Sequence, residues 1–250
     1  MLHGLTASPK QFAVFGQMLF ERGHNVVIPR LPHHGYRDRM TNALAQLTKD
    51  ELAACGLEAL NAARDLGTEV TVVGFSTGGT VAAWLAQTQA LPHVILVAPF
   101  LGSLWIPRRL TGAAVRLVLG LPNAFLWWDP IKRERLMPEH GYPRYSLHAA
   151  AQVIALAHDV LQAEAPPASE RVTVVVNASE TTVSNAAIED LHRKWRARSG
   201  RSVELVRLTG LPASHDIIEP ERALNPVATI YPRLLEIVEA KCDALKADPQ

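Results

Sequence analysis

Apolar and polar positions follow two rhythms along this chain, and the switch from one to the other recurs. Short β-branched apolar runs at 25–28, 69–73, 93–98, 172–176 and 202–208 read as strands. Stretches with helical spacing lie between them, at 9–21, 41–66, 81–89, 184–199 and 219–245. Ser8 is placed to cap the first helix, Pro9 takes its first position and Gly23 closes it. The second is expected to break near Gly56 and to stop at Gly67, and the last to kink or split near Pro226 and Pro232. Alternating strands and helices predict an α/β fold with a mostly parallel sheet flanked by helices.

From 100 to 167 this rhythm fails. The stretch holds Trp105, Phe125, Trp127, Trp128, Tyr142 and Tyr145 among many prolines, with helical pieces expected at 107–119 and 147–163. A segment this long between two strands reads as an inserted lid or cap on a core made of 1–99 and 168–250. Its aromatic residues Trp105, Trp127, Trp128 and Tyr142 are candidates for lining an apolar substrate site. Ordinary hydrophobic packing is the alternative for each.

Composition narrows the picture. With 250 residues and 48% hydrophobic content, the chain can bury one substantial core with an inserted lid. Its 25 basic and 24 acidic side chains leave a net charge of +1, so there is no basic field for nucleic acid. Two basic clusters, at 132–135 and 192–198, carry helical patterning and read as solvated helix faces. Cys55 and Cys242 have no ligand-like spacing and read as small apolar residues on helices, not as a disulfide framework or a zinc site. No uncharged apolar run is long enough to span a membrane; the nearest candidate, 110–128, contains Arg116. A cytoplasmic location is the expectation. Nothing in the pattern speaks to oligomeric state.

The most specific local signal is Val70-Thr71-Val72-Val73-Gly74-Phe75-Ser76-Thr77-Gly78-Gly79-Thr80. An apolar strand runs into Gly-x-Ser-x-Gly and then into a helix, the context of a nucleophile elbow. Ser76 must sit on a tight turn to present its hydroxyl above the sheet, so its flanking positions have no room for a Cβ. A serine hydroxyl also needs a general base, and the base an orienting carboxylate. His215, in the loop Gly210-Leu211-Pro212-Ala213-Ser214-His215-Asp216 after the last strand, is the candidate base among ten histidines. Glu180, just past the strand at 172–176, is the candidate acid. Glu189 and Asp190 fall inside the next helix, and Asp216 adjoins the ring it would have to orient. The expected oxyanion donors are the backbone N–H groups of Thr77 and Leu5, the latter in His3-Gly4-Leu5-Thr6. His3 reads as a structural hydrogen-bonding residue. The pair His33-His34 lacks further ligands at useful spacing and reads as part of a turn, not a metal site.

His3-Gly4-Leu5, Gly74-Phe75-Ser76-Thr77-Gly78-Gly79, Glu180-x-x-Val183 and Ser214-His215-Asp216, in that order, resemble the α/β-hydrolase superfamily. The likeness is to its carboxylesterase, monoacylglycerol lipase and serine-aminopeptidase-like branch, over essentially the whole chain. It implies the α/β-hydrolase fold, Ser76 as nucleophile, His215 as base, an acid at 180, and acyl transfer to water without a cofactor. Two positions depart from the family pattern: Glu180 stands where Asp is usual, and His33 where Pro-Gly-His-Gly carries its first glycine.

The resemblance also places an apolar central strand before the His-Gly loop, where this chain has only Met1 and Leu2. Losing about five buried apolar residues would forfeit roughly 7–15 kcal/mol, as much as the stability of a whole domain. The expectation is therefore a natural protein that starts upstream; cooperative melting and ester hydrolysis by the 250-residue chain alone would refute it. The leading functional expectation is a serine hydrolase cleaving carboxylic esters with an apolar acyl or monoacylglycerol-like group. The alternatives are an acyltransferase, an amidase or peptidase on the same residues, a ligand-binding protein on the same scaffold, or an inactive fragment.

Overall fold

The computed structural model describes residues 1–102, 108–133, 137–222 and 226–240. In chain order these form α1 (Ala13–Phe20), α2 (Lys49–Leu66), β1 (Thr71–Phe75), α3 (Thr77–Thr88), β2 (His93–Val97), α4 (Thr111–Gly120) and β3 (Phe125–Trp127). Then follow β4 (Arg144–Ser146), α5 (Leu147–Gln162), β5 (Arg171–Asn177), α6 (Asn185–Arg198), β6 (Ser202–Leu208) and α7 (Val227–Glu239). β1, β2, β5 and β6 lie side by side in that order as one parallel sheet. β3 and β4 pair separately and antiparallel.

The sheet is buried on both faces, which explains why its strands read as unbroken apolar runs and not as alternating ones. Val72, Val94, Leu96, Val172, Val174 and Val176 pack on one face against α2, α3, α5 and α6. The intervening Val73, Phe75, Ile95, Val97 and Val175 face α1 and α7 through Phe12, Phe15, Ile230 and Leu234. β6 lies at the edge and is half-buried, with the exposed Arg207 blunting that edge.

At the opposite edge, Leu2 alone pairs with β1. Its N–H donates to the Val73 carbonyl at 2.8 Å, and its own carbonyl accepts from the Phe75 N–H at 3.0 Å. The strand expected at 25–28 does not form. A strand needs a paired neighbour along its length, and among the described residues the backbone of this segment accepts one hydrogen bond, from the Met1 amine to the Val27 carbonyl at 2.6 Å. A cavity of about 830 Å³, lined among others by Leu2, Val26, Val27, Val70 and Val72, adjoins this segment.

Three further expectations shift. The helical region 41–66 breaks at Thr48, not at Gly56. Thr48 and Glu51 form a capping box in which each backbone N–H donates to the other's side chain. Gly56 stays inside α2 because α3 crosses there: a Cβ on it would lie 2.7 Å from Val81 Cγ1. The last helix starts at Val227, with Pro226 at its N-cap and Pro232 inside it. Cys242 and the rest of 241–250 lie outside the described residues. The basic run 192–198 is only half a solvated face, since His192 and Trp195 are buried on α6.

Within 100–167, the two helices differ. α4 buries none of its side chains. α5 buries Ala149, Val153, Leu156, Ala157 and Val160 into the core beneath α3. Among the described residues no helix is long and apolar enough to cross a membrane. Nor do three or more His, Cys, Asp or Glu side chains gather there to hold a metal ion.

Candidate active site

β1 delivers the chain to Ser76 and α3 starts at the next residue. Ser76 has φ 53° and ψ −115°, a left-handed conformation that costs a non-glycine residue about 1–3 kcal/mol. The surroundings enforce it. The Ser76 N–H donates to the Val97 carbonyl at 3.1 Å, and its carbonyl accepts from the Thr80 and Phe100 N–H groups, both at 3.0 Å. A Cβ on Gly74 would lie 2.2 Å from the Gly78 carbonyl oxygen, and one on Gly78 only 2.0 Å from that of Leu2. The two glycines flanking the turn are thus required by backbone contact.

His215 and Glu180 meet Ser76 in line. His215 Nε2 lies 2.8 Å from Ser76 Oγ, and His215 Nδ1 lies 2.9 Å from Glu180 Oε2. The Phe75 ring stacks on the imidazole, 5.0 Å between centroids. The Glu180 side chain is 1% exposed, and its other oxygen accepts the Thr181, Thr182 and Val183 N–H groups at 2.8, 2.7 and 3.4 Å. Burial by itself raises this carboxyl. The hydrogen bond and charge of His215, with the Thr182 and Thr181 amides, outweigh burial and hold it below its ordinary value. The rival carboxylates are engaged elsewhere: Asp216 pairs with Arg222, Asp190 with Arg193, and Glu189 with Arg207.

Asn177, the last residue of β5, went unnoticed in the sequence and joins the two loops. Its Nδ2 donates to the Pro212 and Ser214 carbonyls of the His215 loop, both at 3.0 Å. Its Oδ1 accepts from Ser179 N–H in the Glu180 loop, also at 3.0 Å. Gln11 was equally silent. It is buried on the turn before α1, and its Oε1 accepts the Gly4 N–H at 2.9 Å, anchoring the loop that carries Leu5. The Gly78 N–H donates to the His3 carbonyl at 3.1 Å, tying that loop to the elbow.

A cavity of about 530 Å³ opens over these groups, lined by Ser76, His215, Leu5 and Thr77. Among the described residues neither the Leu5 nor the Thr77 N–H is spent on another hydrogen bond. Of the four aromatic candidates, Trp128 lines this cavity. Its Nε1 donates to Thr6 Oγ1 at 2.8 Å, and its ring packs on Tyr145 at 4.4 Å. Trp127 is not part of the lining; the Arg133 guanidinium covers its ring. Tyr142 is also absent from the lining: it is buried, its hydroxyl held by the Tyr36 N–H and the His33 carbonyl. Trp105 lies outside the described residues. Phe100, Tyr145, Leu147, Val153 and Ile154 complete an apolar wall. Its signal in the sequence was the repeat Leu147, Ala150, Ile154 on one side of α5.

The histidines at 3, 33 and 34 hold structure. His3 Nε2 accepts the Leu31 N–H at 3.1 Å and its Nδ1 donates to the Gly4 carbonyl at 2.9 Å. Burial pushes His3 well below its ordinary pKa and His34 down to about 4. His33 sits at φ 63°, the left-handed position where the resembled turn carries glycine, and its Nε2 lies 3.1 Å from Glu51.

A doubly covered parallel sheet with a strained serine at a strand-to-helix turn is the architecture of an α/β hydrolase. The sequence matches the profile of the alpha/beta hydrolase family over residues 1–228, and the chain belongs to that family. A search of curated proteins finds no match. Among solved structures, the chain is similar to one reported for LipS and LipT, two metagenome-derived lipolytic enzymes. The TM-score is 0.69 at 18% identity, over 95% of this chain and 91% of that one. It is also similar to the monoacylglycerol lipase of Paleococcus ferrophilus, with TM-score 0.68 at 19% identity over 95% and 91%. A soluble variant of the monoglyceride lipase of Saccharomyces cerevisiae gives 0.61 at 15% identity over 95% and 84%. At these identities the likeness is one of fold.

Proposed function

We propose that this protein is a serine-dependent carboxylic ester hydrolase. The observation that carries the reading is the line Ser76–His215–Glu180, with contacts of 2.8 and 2.9 Å and a buried carboxylate at its end. Ser76 Oγ attacks the ester carbonyl carbon while His215 Nε2 takes its proton. Glu180 keeps the Nδ1–H tautomer and stabilises the imidazolium. The Leu5 and Thr77 N–H groups receive the oxyanion. Collapse expels the alcohol, protonated by His215, and leaves an acyl group on Ser76. Water then attacks that acyl carbon and gives His215 its proton; the acid departs and the serine is restored. These steps call for no cofactor. The partner is a small-molecule ester.

The apolar wall of Phe100, Trp128, Tyr145, Leu147 and Ile154 suits an apolar acyl group. The names of the lipolytic and monoacylglycerol lipase neighbours point the same way. The described residues of 100–167 are read as the cover of this cavity, held to the core through α5. A fluorophosphonate probe tests the reading. It labels the wild-type protein but not Ser76→Ala, and that variant loses on the order of 10⁴–10⁶ in kcat on p-nitrophenyl butyrate. An unlabelled wild type, or a labelled Ser76→Ala, refutes it.

A further inference from the structure

The cavity above Ser76 has a second wall of different chemistry. His140, Asp216, Glu219 and Arg222 line it together. Asp216 and Arg222 form an ion pair and cancel. Glu219 is held differently. Its side chain is 3% exposed, and its partners are His140 Nε2 at 3.3 Å and the Glu221 N–H at 3.2 Å. On its other side His140 Nδ1 lies 3.2 Å from the Ser8 hydroxyl, which also accepts the Lys10 N–H. Among the described residues no Lys or Arg side chain pairs with Glu219. A second carboxylate, Glu221, lies 4.0 Å from the same imidazole nitrogen and is half exposed. On this wall the carboxylates Asp216 and Glu219, with Glu221 beside them, thus outnumber the one guanidinium, Arg222. A cation brought beside a buried carboxylate stabilises it.

We propose that Glu219 and His140 form a subsite for a positively charged alcohol portion of the ester, so that the preferred leaving group is an amino alcohol. The inference rests on the ester hydrolase reading above. The acyl chain takes the apolar wall and the ammonium group takes the Glu219 wall, with Ser76 and His215 between them.

The test compares butyrylcholine with 3,3-dimethylbutyl butyrate. The acyl groups are identical and the leaving groups share one shape, so charge is the variable. Each kcat/KM is divided by the ester's hydroxide-catalysed rate. The expected ratio is at least about tenfold in favour of the cation, a difference of about 1.4 kcal/mol. Glu219→Gln brings the ratio to within about twofold of one, whatever its overall rate. A wild-type ratio near one overturns the proposal without any variant. So does a ratio that Glu219→Gln leaves intact, or a preference for glycerol monobutyrate over both esters. Cleavage of the dimethylbutyl ester that Ser76→Ala abolishes keeps the hydrolase reading while the charge ratio judges the subsite. Failure to cleave any of the three esters overturns both.

Discussion

Replacing Glu180 by Gln probes the orienting carboxylate with almost no change of shape. The three N–H groups of Thr181, Thr182 and Val183 hold Oε1, so the amide oxygen of the glutamine takes that place. Its NH₂ group then stands where Oε2 was, 2.9 Å from His215 Nδ1. Two donors cannot face each other there. The imidazole relieves the conflict by moving its proton to Nε2, which puts an N–H against Ser76 Oγ in place of an acceptor. The base is then in the wrong tautomer, and the expected loss is about 10⁴ in kcat, or roughly 5.5 kcal/mol of barrier. Steady-state hydrolysis of p-nitrophenyl butyrate, normalised to titrated active sites, measures it, and circular dichroism melting confirms that the variant folds. Asp190→Asn is the control: Asp190 pairs with Arg193 on an exposed helix face, so its rate stays within about twofold. A loss under tenfold in Glu180→Gln, or an equal loss in Asp190→Asn, would show that another group orients His215.

Two further outcomes follow from the same geometry. Asn177→Ala removes the side-chain bonds that hold the base loop, and a misplacement of about 1 Å costs on the order of 100-fold in rate. The kcat on p-nitrophenyl butyrate should fall by about 10–100-fold with a melting temperature lowered only modestly; an unchanged kcat refutes the clamp. Acid should destabilise the fold above the carboxylate range, because burial holds His34 down to about 4, and burial with the Arg171 charge holds His93 down to about 3. Below the unfolded value of about 6.5 the unfolded chain binds protons that the folded chain refuses, so stability is full above that value and falls with pH; at pH 5 each residue costs about 2 kcal/mol. His3 adds loss of the same sign, whereas the depressed Glu180 costs stability only as pH falls below the ordinary carboxylate value. Urea unfolding at pH 8 and pH 5 measures the difference, and a loss under about 1 kcal/mol refutes this account.

What was legible in the chain is what a few neighbouring residues decide. The elbow could be read because strand, Gly-x-Ser-x-Gly and helix are contiguous, although the contact that requires Gly78 comes from Leu2, outside the turn. The break before α2 was expected at Gly56 and falls instead at Thr48, because Thr48-x-x-Glu51 forms a capping box that outranks the glycine. The apolar segment 25–28 has the pattern of a strand, yet pairing depends on a neighbour that the pattern does not contain. The polar wall was hidden for a similar reason. His140 and Glu219 lie 79 positions apart and come from segments with no shared periodicity.

The arrangement of the site follows from strand order, which the linear pattern does not supply. In a parallel sheet all C-terminal strand ends lie along one edge, so Ser76, Glu180 and His215 gather there. The order β1-β2-β5-β6 nevertheless separates their strands. Neighbouring strands are about 4.8 Å apart, so β6 lies roughly 14 Å from β1. The loop carrying His215 must therefore arch back over the ends of β5 and β2 to reach Ser76. An arch of that length needs a support midway, and Asn177 at the end of β5 supplies it through the Pro212 and Ser214 carbonyls. Glu180, rising from the same strand end, meets the imidazole from beneath the arch, where its extra methylene relative to Asp is taken up by the turn of amides that holds Oε1. In the proposed mechanism the clamp and the acid are thus consequences of one geometric requirement: a base from the far edge strand must be held still over a serine three strands away.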